Sequence, residues 1–340
     1  MTTPTLDRYF QVCLPAIEEE LRLAVAFAGG PGLEALHGML AYHMGWEGET
    51  SGPNASGKRI RPLLVLLACA AAGGEWTDAL PGAAAVELVH NFSLIHDDIE
   101  DNSDLRRGRP TVWKIWGIPQ AINAGDAMYA LAQLSVLRLQ HTASQPAALQ
   151  AAVILQQTCL ALTQGQYRDI SYEQRHDLAQ DDYWPMIEGK TAALVAASAE
   201  IGAIAAQADH ETCSAYREFG RSLGLAFQAQ DDLLGIWGDS ALTGKSAESD
   251  LVTGKKSLPV LYGLEQKGLF ALRWLAAPVE PADVPALARQ LELDGAREYT
   301  RQRADELTAQ ARQALARANP QGEAGQALVE LADWLLGRNM

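Results

Sequence analysis

Apolar residues recur at helical spacing along nearly the whole chain, and no segment alternates apolar and polar residues over the length of a strand. The periodicity predicts helices near 5–28, 58–73, 79–103, 118–140, 145–174, 182–207, 210–237, 281–316 and 322–338. Three stretches interrupt it: the polar, glycine-rich 45–57, the arginine-rich 104–118, and 238–256, rich in Gly, Ser, Asp and Lys. None is long enough to divide the chain, and no repeat of fixed period is present. The expectation is a single all-α domain over 1–340, with amphipathic helices of little chemical content from 266 onward.

The formal net charge of −15 argues against nucleic acid or anionic membranes as partners, because both need basic patches. The most apolar run, 62–74, is too short to cross a bilayer, and no signal peptide is visible, so no membrane span is expected. Cys13, Cys69, Cys159 and Cys213 are scattered and make no disulfide framework, which favours a reduced, cytoplasmic setting.

Chemistry concentrates at two acidic clusters. In Asp97-Asp98-Ile99-Glu100-Asp101, the first and last residues are four apart and project from one helix face, where like charges repel unless a cation lies between them. Oxygen ligands so spaced suit Mg²⁺, which keeps waters and shares phosphate oxygens. The second cluster, Gln230-Asp231-Asp232, also ends an apolar helix. Two such sets facing each other could clamp metals on a diphosphate; a solvated acidic helix end is the plainer alternative for either. Cations gather in Gly57-Lys58-Arg59-Ile60-Arg61-Pro62, at Arg106 and Arg107, and at Lys190, Lys245, Lys255 and Lys256. In an acidic chain they suggest phosphate recognition. His90, two turns before Asp97, either donates to a diphosphate or is an ordinary buried histidine.

In order along the chain, Gly-Lys-Arg-Ile-Arg-Pro, His90, Ser93 to Asp101, Asp104 to Thr111, Gly189-Lys190-Thr191-Ala192, Phe227 to Asp232, Thr243-Gly244-Lys245 and Lys255 to Pro259 resemble the trans-isoprenyl diphosphate synthases, or polyprenyl synthetases. The resemblance covers some 200 residues. It implies a class I isoprenoid synthase bundle of about a dozen helices around a central cavity, working as a homodimer. It also implies condensation of isopentenyl diphosphate with an allylic diphosphate. Asp97, Asp101 and Asp231 would bind three Mg²⁺ (Mn²⁺ as substitute), with Asp98, Asp232 and Asp250 behind them. Arg106, Lys190, Lys245 and Lys255 would hold the allylic diphosphate. Lys58, Arg61, His90 and Arg107 would hold isopentenyl diphosphate. Thr191 and Gln228 would face the carbocation.

One position departs from the resemblance. The residue four after Asp231 is Gly235, where the family commonly has an aspartate, so Asp231 is expected to act without that second carboxylate. Val89, Phe92 and Ser93 precede Asp97 by one to two turns and would line the path of the growing chain, with Phe92 as its floor or simply as core. An aromatic there implies a C15 or C20 product, and the absence of two extra residues within the first motif favours C20. Two alternatives stand beside this reading. A class I terpene cyclase would not need Lys58, Arg61 and Arg107. A non-catalytic partner subunit would have lost the first acidic cluster, which is intact.

Overall fold

The computed structural model describes residues 3–173, 175–238 and 250–337. Among these the chain is helical apart from one two-stranded hairpin. In order it forms α1 (Pro4–Ala26), α2 (Glu34–His43), α3 (Pro53–Ser56), α4 (Ile60–Ala71) and α5 (Leu80–Glu100). The hairpin, β1 (Leu105–Arg106) and β2 (Arg109–Pro110), precedes α6 (Val112–Trp116), α7 (Ile118–Leu137), α8 (Leu139–Thr142) and α9 (Gln145–Glu173). Then come α10 (Gln180–Ile187), a π turn (Glu188–Ala192), α11 (Ala193–Ala205) and α12 (His210–Trp237). The chain ends with α13 (Leu258–Glu265), α14 (Leu269–Ala276), α15 (Val284–Leu293), α16 (Ala296–Ala318) and α17 (Gly322–Leu336).

The all-α expectation holds, with local corrections. The segment 182–207 is not one helix: it is interrupted by the π turn over Glu188–Ala192. The segment 281–316 breaks at Asp294-Gly295, because Gly295 adopts φ +89°, a conformation a side chain resists. Helices α2, α3, α6 and α13 were not anticipated, whereas α14 falls in the region from 266 onward read as amphipathic helices. Each of those four is short, so its apolar residues form no long periodic stripe. The second acidic pair does not end its helix, since α12 continues to Trp237.

Two compact units are present, Met1–Cys159 with Ala197–Arg217 and Ala316–Glu330, and Leu160–Ala196 with Glu218–Leu315 and Leu331–Met340. In the first, α4 buries Leu63 to Leu67 and α5 buries Ala83, Ala84, Ala85, Val86, Leu88, Val89 and Ile95. Each buried Leu or Val contributes about 1.5–3 kcal/mol, so this interior gives α5 a rigid seat from which its acidic end emerges. In the second, Tyr183, Met186, Ile187, Leu225, Leu258 and Leu261 form one apolar cluster. Ile236, Leu251, Val260, Phe270 and Leu291 form another.

One described helix, α9, is long and apolar enough to cross a membrane by length and composition, which the sequence reading had not flagged. None of the four cysteines is in a disulfide, and all are buried.

Candidate active site

In the first unit, α5 delivers the first acidic cluster. Asp97 is half-buried, Asp98 is buried, and Asp101 caps the helix, its N–H donating to the Asp97 carbonyl at 2.8 Å. The following hairpin pairs Leu105 with Pro110 and Arg106 with Arg109. Its two-residue turn is Arg107-Gly108, with φ +53° and +74°, the positive values that suit the twist of a tight hairpin. The turn folds the arginines back beside the carboxylates. Arg106 Nε donates to Asp98 Oδ1 at 2.8 Å, while Asp98 Oδ2 is buried without a hydrogen-bond partner. Burial raises the Asp98 carboxyl to about 6, although Arg106 pulls the other way.

Arg107 Nη1 donates to the Ala55 carbonyl at 2.7 Å, above Gly57. A Cβ on Gly57 would lie 2.7 Å from that guanidinium, so the glycine of Gly-Lys-Arg leaves the arginine its place. Four residues after Gly57, Arg61 Nη1 lies 3.4 Å from His90 Nε2. Burial, then Arg61, Arg107, Arg106 and His43, lowers the His90 imidazole well below its usual range, so it stays neutral. Arg61, Arg107 and His90 are thus gathered in one unit. Lys58, on the loop beside Gly57, is exposed.

Phe92 packs edge-on to His96 (centroids 5.0 Å apart) and tilted against Tyr129 of α7 (5.4 Å). Val89 is fully buried, and Ser93 Oγ donates to the His90 carbonyl at 2.8 Å. Phe92 therefore sits within an aromatic group and not alone in an aliphatic core.

In the second unit the π turn carries Lys190 and Thr191. It forms where two glycines let backbones touch: a Cβ on Gly165 would fall 2.2 Å from Lys190 N, and one on Gly189 2.5 Å from the Ala161 carbonyl oxygen. Inserted turns of this kind often mark functional sites. Thr191 Oγ1 donates to Gln228 Oε1 at 2.9 Å, and Lys190 pairs with Asp169. Asp232 is buried and accepts from Tyr183 Oη (2.7 Å), Leu258 N (2.9 Å) and Gln228 Nε2 (3.0 Å). Lys255 Nζ lies 3.8 Å from Asp232 and 4.0 Å from Asp250. Burial alone would lower the Lys255 ammonium, but these carboxylates raise it instead. Asp169, Tyr183, Lys190, Thr191, Gln228, Asp232 and Lys255 line one small cavity of about 90 Å³. Lys245 lies outside the described residues.

Four contributors escaped the sequence reading: Asp169, Tyr183, Arg109 and His43. Asp169 was legible as an acid on a mostly uncharged helix. Arg109, read only as part of its motif, stacks 4.0 Å over Tyr42 and donates to the Tyr42 and Glu47 carbonyls, which ties the 45–57 loop down. His43 Nε2 is buried without a hydrogen-bond partner among Arg106, Arg107 and Arg109. Burial, then those arginines and Arg59, lowers it to about 3. An unfolded imidazole takes its proton near pH ~6.5, so stability is lost as pH falls from that value towards 3. His43→Gln, which cannot be protonated, is expected to flatten the loss by about 2–3 kcal/mol at pH ~4, read as urea midpoint against pH.

The donors suit a hard divalent cation. They are carboxylate oxygens without sulfur or imidazole, and Asp98 Oδ2 has no partner. Among the described residues no three acidic, His or Cys side chains assemble into a ready cage. That pattern fits Mg²⁺, which binds through one or two carboxylates and completes its shell with water and substrate phosphate.

Comparison with known proteins agrees with this chemistry. The family described as "Polyprenyl synthetase" matches residues 51–277. The chain is 41% identical over 310 residues to a (2E,6E)-farnesyl diphosphate synthase of Mycobacterium bovis, covering 88% of this chain and 85% of that one. It is also 41% identical over 318 residues to a geranylgeranyl diphosphate synthase of Mycobacterium tuberculosis, covering 89% and 90%. A polyprenyl synthetase from Streptomyces coelicolor superposes with TM-score 0.87 at 37% identity, covering 99% of this chain and 100% of that one. With its two acidic groups, its arginine hairpin and its lysine-bearing π turn in the described places, the chain belongs to the polyprenyl synthetase family.

Proposed function

We propose that the whole chain acts as one catalytic domain that joins isopentenyl diphosphate head to tail to an allylic diphosphate, giving a trans-prenyl diphosphate of C15–C20, with C20 favoured. The observation that carries this reading is the separate set of two arginines, Arg61 and Arg107, with the neutral imidazole of His90, held beside the arginine-paired Asp98 of α5. A cyclase, which ionises a single diphosphate, has no need of that second set. Asp97, Asp101 and Asp231 hold Mg²⁺, or Mn²⁺ in its place. When bound, the metal neutralises charge on the departing diphosphate.

Arg106, Lys190, Lys245 and Lys255 add positive charge to the same leaving group, so the allylic C–O bond breaks with its electron pair on oxygen. Lys58, Arg61, His90 and Arg107 hold isopentenyl diphosphate, whose π electrons form the new C–C bond. Loss of a proton to the released diphosphate restores the double bond. Neutral His90 can donate from one ring nitrogen without carrying a charge of its own. Thr191, oriented by Gln228, presents oxygen dipoles to the allylic cation. We read the chain as a cytoplasmic homodimer. Along α9, Leu149, Val153, Leu160, Tyr167 and Ile170 are exposed at spacings that follow a heptad seam, the pattern of a helix awaiting a second copy. Asp169 and Arg168 on the same helix argue against its crossing a bilayer.

Incubating purified protein with Mg²⁺, labelled isopentenyl diphosphate and C5, C10 or C15 allylic diphosphates tests the reading, with dephosphorylated products sized by chromatography. A discrete C15 or C20 alcohol supports it. A hydrocarbon formed from the allylic substrate alone would show a cyclase, and no turnover with any starter would overturn the catalytic reading. In the same assay Phe92→Ala is expected to lengthen the product by one or more C5 units, since it removes the ring packed against Tyr129. An unchanged length would reject Phe92 as the floor.

A further inference from the structure

The missing carboxylate at Gly235 has a counterpart in space. Gly235 lies on α12 one turn after Asp231, and its bare Cα faces Asp250. A Cβ built there would fall 2.2 Å from Asp250 Oδ2, 2.6 Å from its Cγ and 2.9 Å from Oδ1, inside the carboxylate group itself. The approach is held from both sides. Asp250 N donates to the Gly235 carbonyl at 3.2 Å, and Lys255 N donates to the Asp250 carbonyl at 3.0 Å. The Asp250 side chain is only 17% exposed, and Lys255 Nζ lies 4.0 Å from it and 3.8 Å from Asp232. The overlap falls on the carboxylate end of the Asp250 side chain, so a Cβ at Gly235 would turn that carboxylate out of its place even where the backbone hydrogen bond holds.

We propose that Gly235 is a positioning residue: its lack of a side chain opens the slot in which Asp250 docks. Asp250 thereby brings to the Asp231–Asp232 turn the carboxylate that α12 lacks four residues after Asp231. This rests on the reading of that turn as a metal–diphosphate site. Its sharp consequence is that Gly235→Asp, which restores an aspartate at the usual family position, harms the site. The added side chain expels Asp250 and with it the contact to Lys255.

The test compares wild type with Gly235→Ala, Gly235→Asp, Asp250→Asn and the exchange Gly235→Asp/Asp250→Gly. Two readouts are used: the Mg²⁺ concentration giving half the thermal shift in the presence of inorganic diphosphate, and steady-state kinetics. Gly235→Ala and Gly235→Asp are expected to raise that Mg²⁺ concentration about 10–100-fold, the usual cost of losing a group that orients metal ligands. The KM for isopentenyl diphosphate should stay within about twofold while kcat falls, which a general loosening of the fold would not produce. The exchange should recover part of the Mg²⁺ response. Asp250→Asn, nearly isosteric, should reproduce the Mg²⁺ effect at unchanged melting temperature even where a Gly235 variant misfolds. A Gly235→Asp protein that matches or exceeds wild type in Mg²⁺ response would overturn the proposal, as would an unaltered response in Asp250→Asn. If wild type turns over no substrate pair yet its diphosphate-dependent Mg²⁺ shift follows these substitutions, the catalytic reading fails and the positioning role stands.

Discussion

Replacing Arg59 with leucine is expected to destabilise the protein by about 3–5 kcal/mol, the cost of leaving a buried charge uncompensated. The Arg59 side chain is 2% exposed. Its Nε donates to Glu18 Oε1 at 2.6 Å, its Nη1 to Glu87 Oε1 at 2.8 Å and its Nη2 to the Met44 carbonyl at 3.1 Å. Among the described residues Glu87, itself 4% exposed, has only Asn91 as a further side-chain donor, at 3.1 Å. Glu18 also takes a hydrogen bond from Trp46 Nε1. The arginine thus ties α1, α5 and the end of α2 to the start of α4 from a left-handed backbone, φ +50°. Urea unfolding should show the loss directly, and the melting temperature should drop on the order of 10 °C. Arg59→Lys should recover less than half, since one ammonium cannot serve both carboxylates and the carbonyl at these angles. Arg59→Leu with Glu87→Leu should recover more than Arg59→Leu alone, because an apolar pair removes the stranded charge. Lys58 and Arg61 flank the anchor, so the KM for isopentenyl diphosphate should rise in the single variant even below its melting point. An unchanged urea midpoint in Arg59→Leu would show that the network is not a stabilising anchor.

Asp97→Asn should reduce kcat by about 10²–10³-fold or more, the scale seen when one group that stabilises developing charge is removed. The substitution keeps the shape of the side chain at the half-buried end of α5, so circular dichroism and melting should barely move. What it removes is one anionic oxygen ligand from a set with no ready-made cage to replace it. The KM for isopentenyl diphosphate should change little, because Arg61, His90 and Arg107 remain as they are. Raising Mg²⁺ should recover activity only in part, since weaker coordination and poorer charge stabilisation are distinct losses. A kcat within tenfold of wild type would remove Asp97 from the proposed metal set.

Much of the proposed site was legible before any fold was known, for a local reason. Asp97 and Asp101 share a face because helices repeat every 3.6 residues. Arg107-Gly108 makes a tight turn because both positions take positive φ. Their roles depend on neighbours close in sequence. The residues that escaped are those whose meaning lies in a partner far along the chain. His43 reads as an unremarkable histidine until Arg106, Arg107 and Arg109 surround it. Asp169 reads as a surface acid until Lys190 arrives from the π turn. That turn was itself hidden: periodicity continues across 182–207, and only the backbone contact at Gly165 and Gly189 shows why an extra residue is inserted there.

Composition and periodicity by themselves determined an all-helical chain, the acidic clusters at helix ends or in final turns, and the cations gathered around them. Those follow from helical geometry and from the net charge, which neighbours cannot alter. Tertiary structure alone decided which charges are consumed by ion pairs inside the fold and which face other groups. Arg59 and Arg61 stand two residues apart in one basic motif, yet Arg59 is consumed by Glu18 and Glu87 while Arg61 faces His90. It also brought the Asp250 carboxylate, fifteen residues on, to where a Cβ on Gly235 would stand. A side chain's burial and partners are set by packing between distant segments, and spacing along the chain carries no record of them.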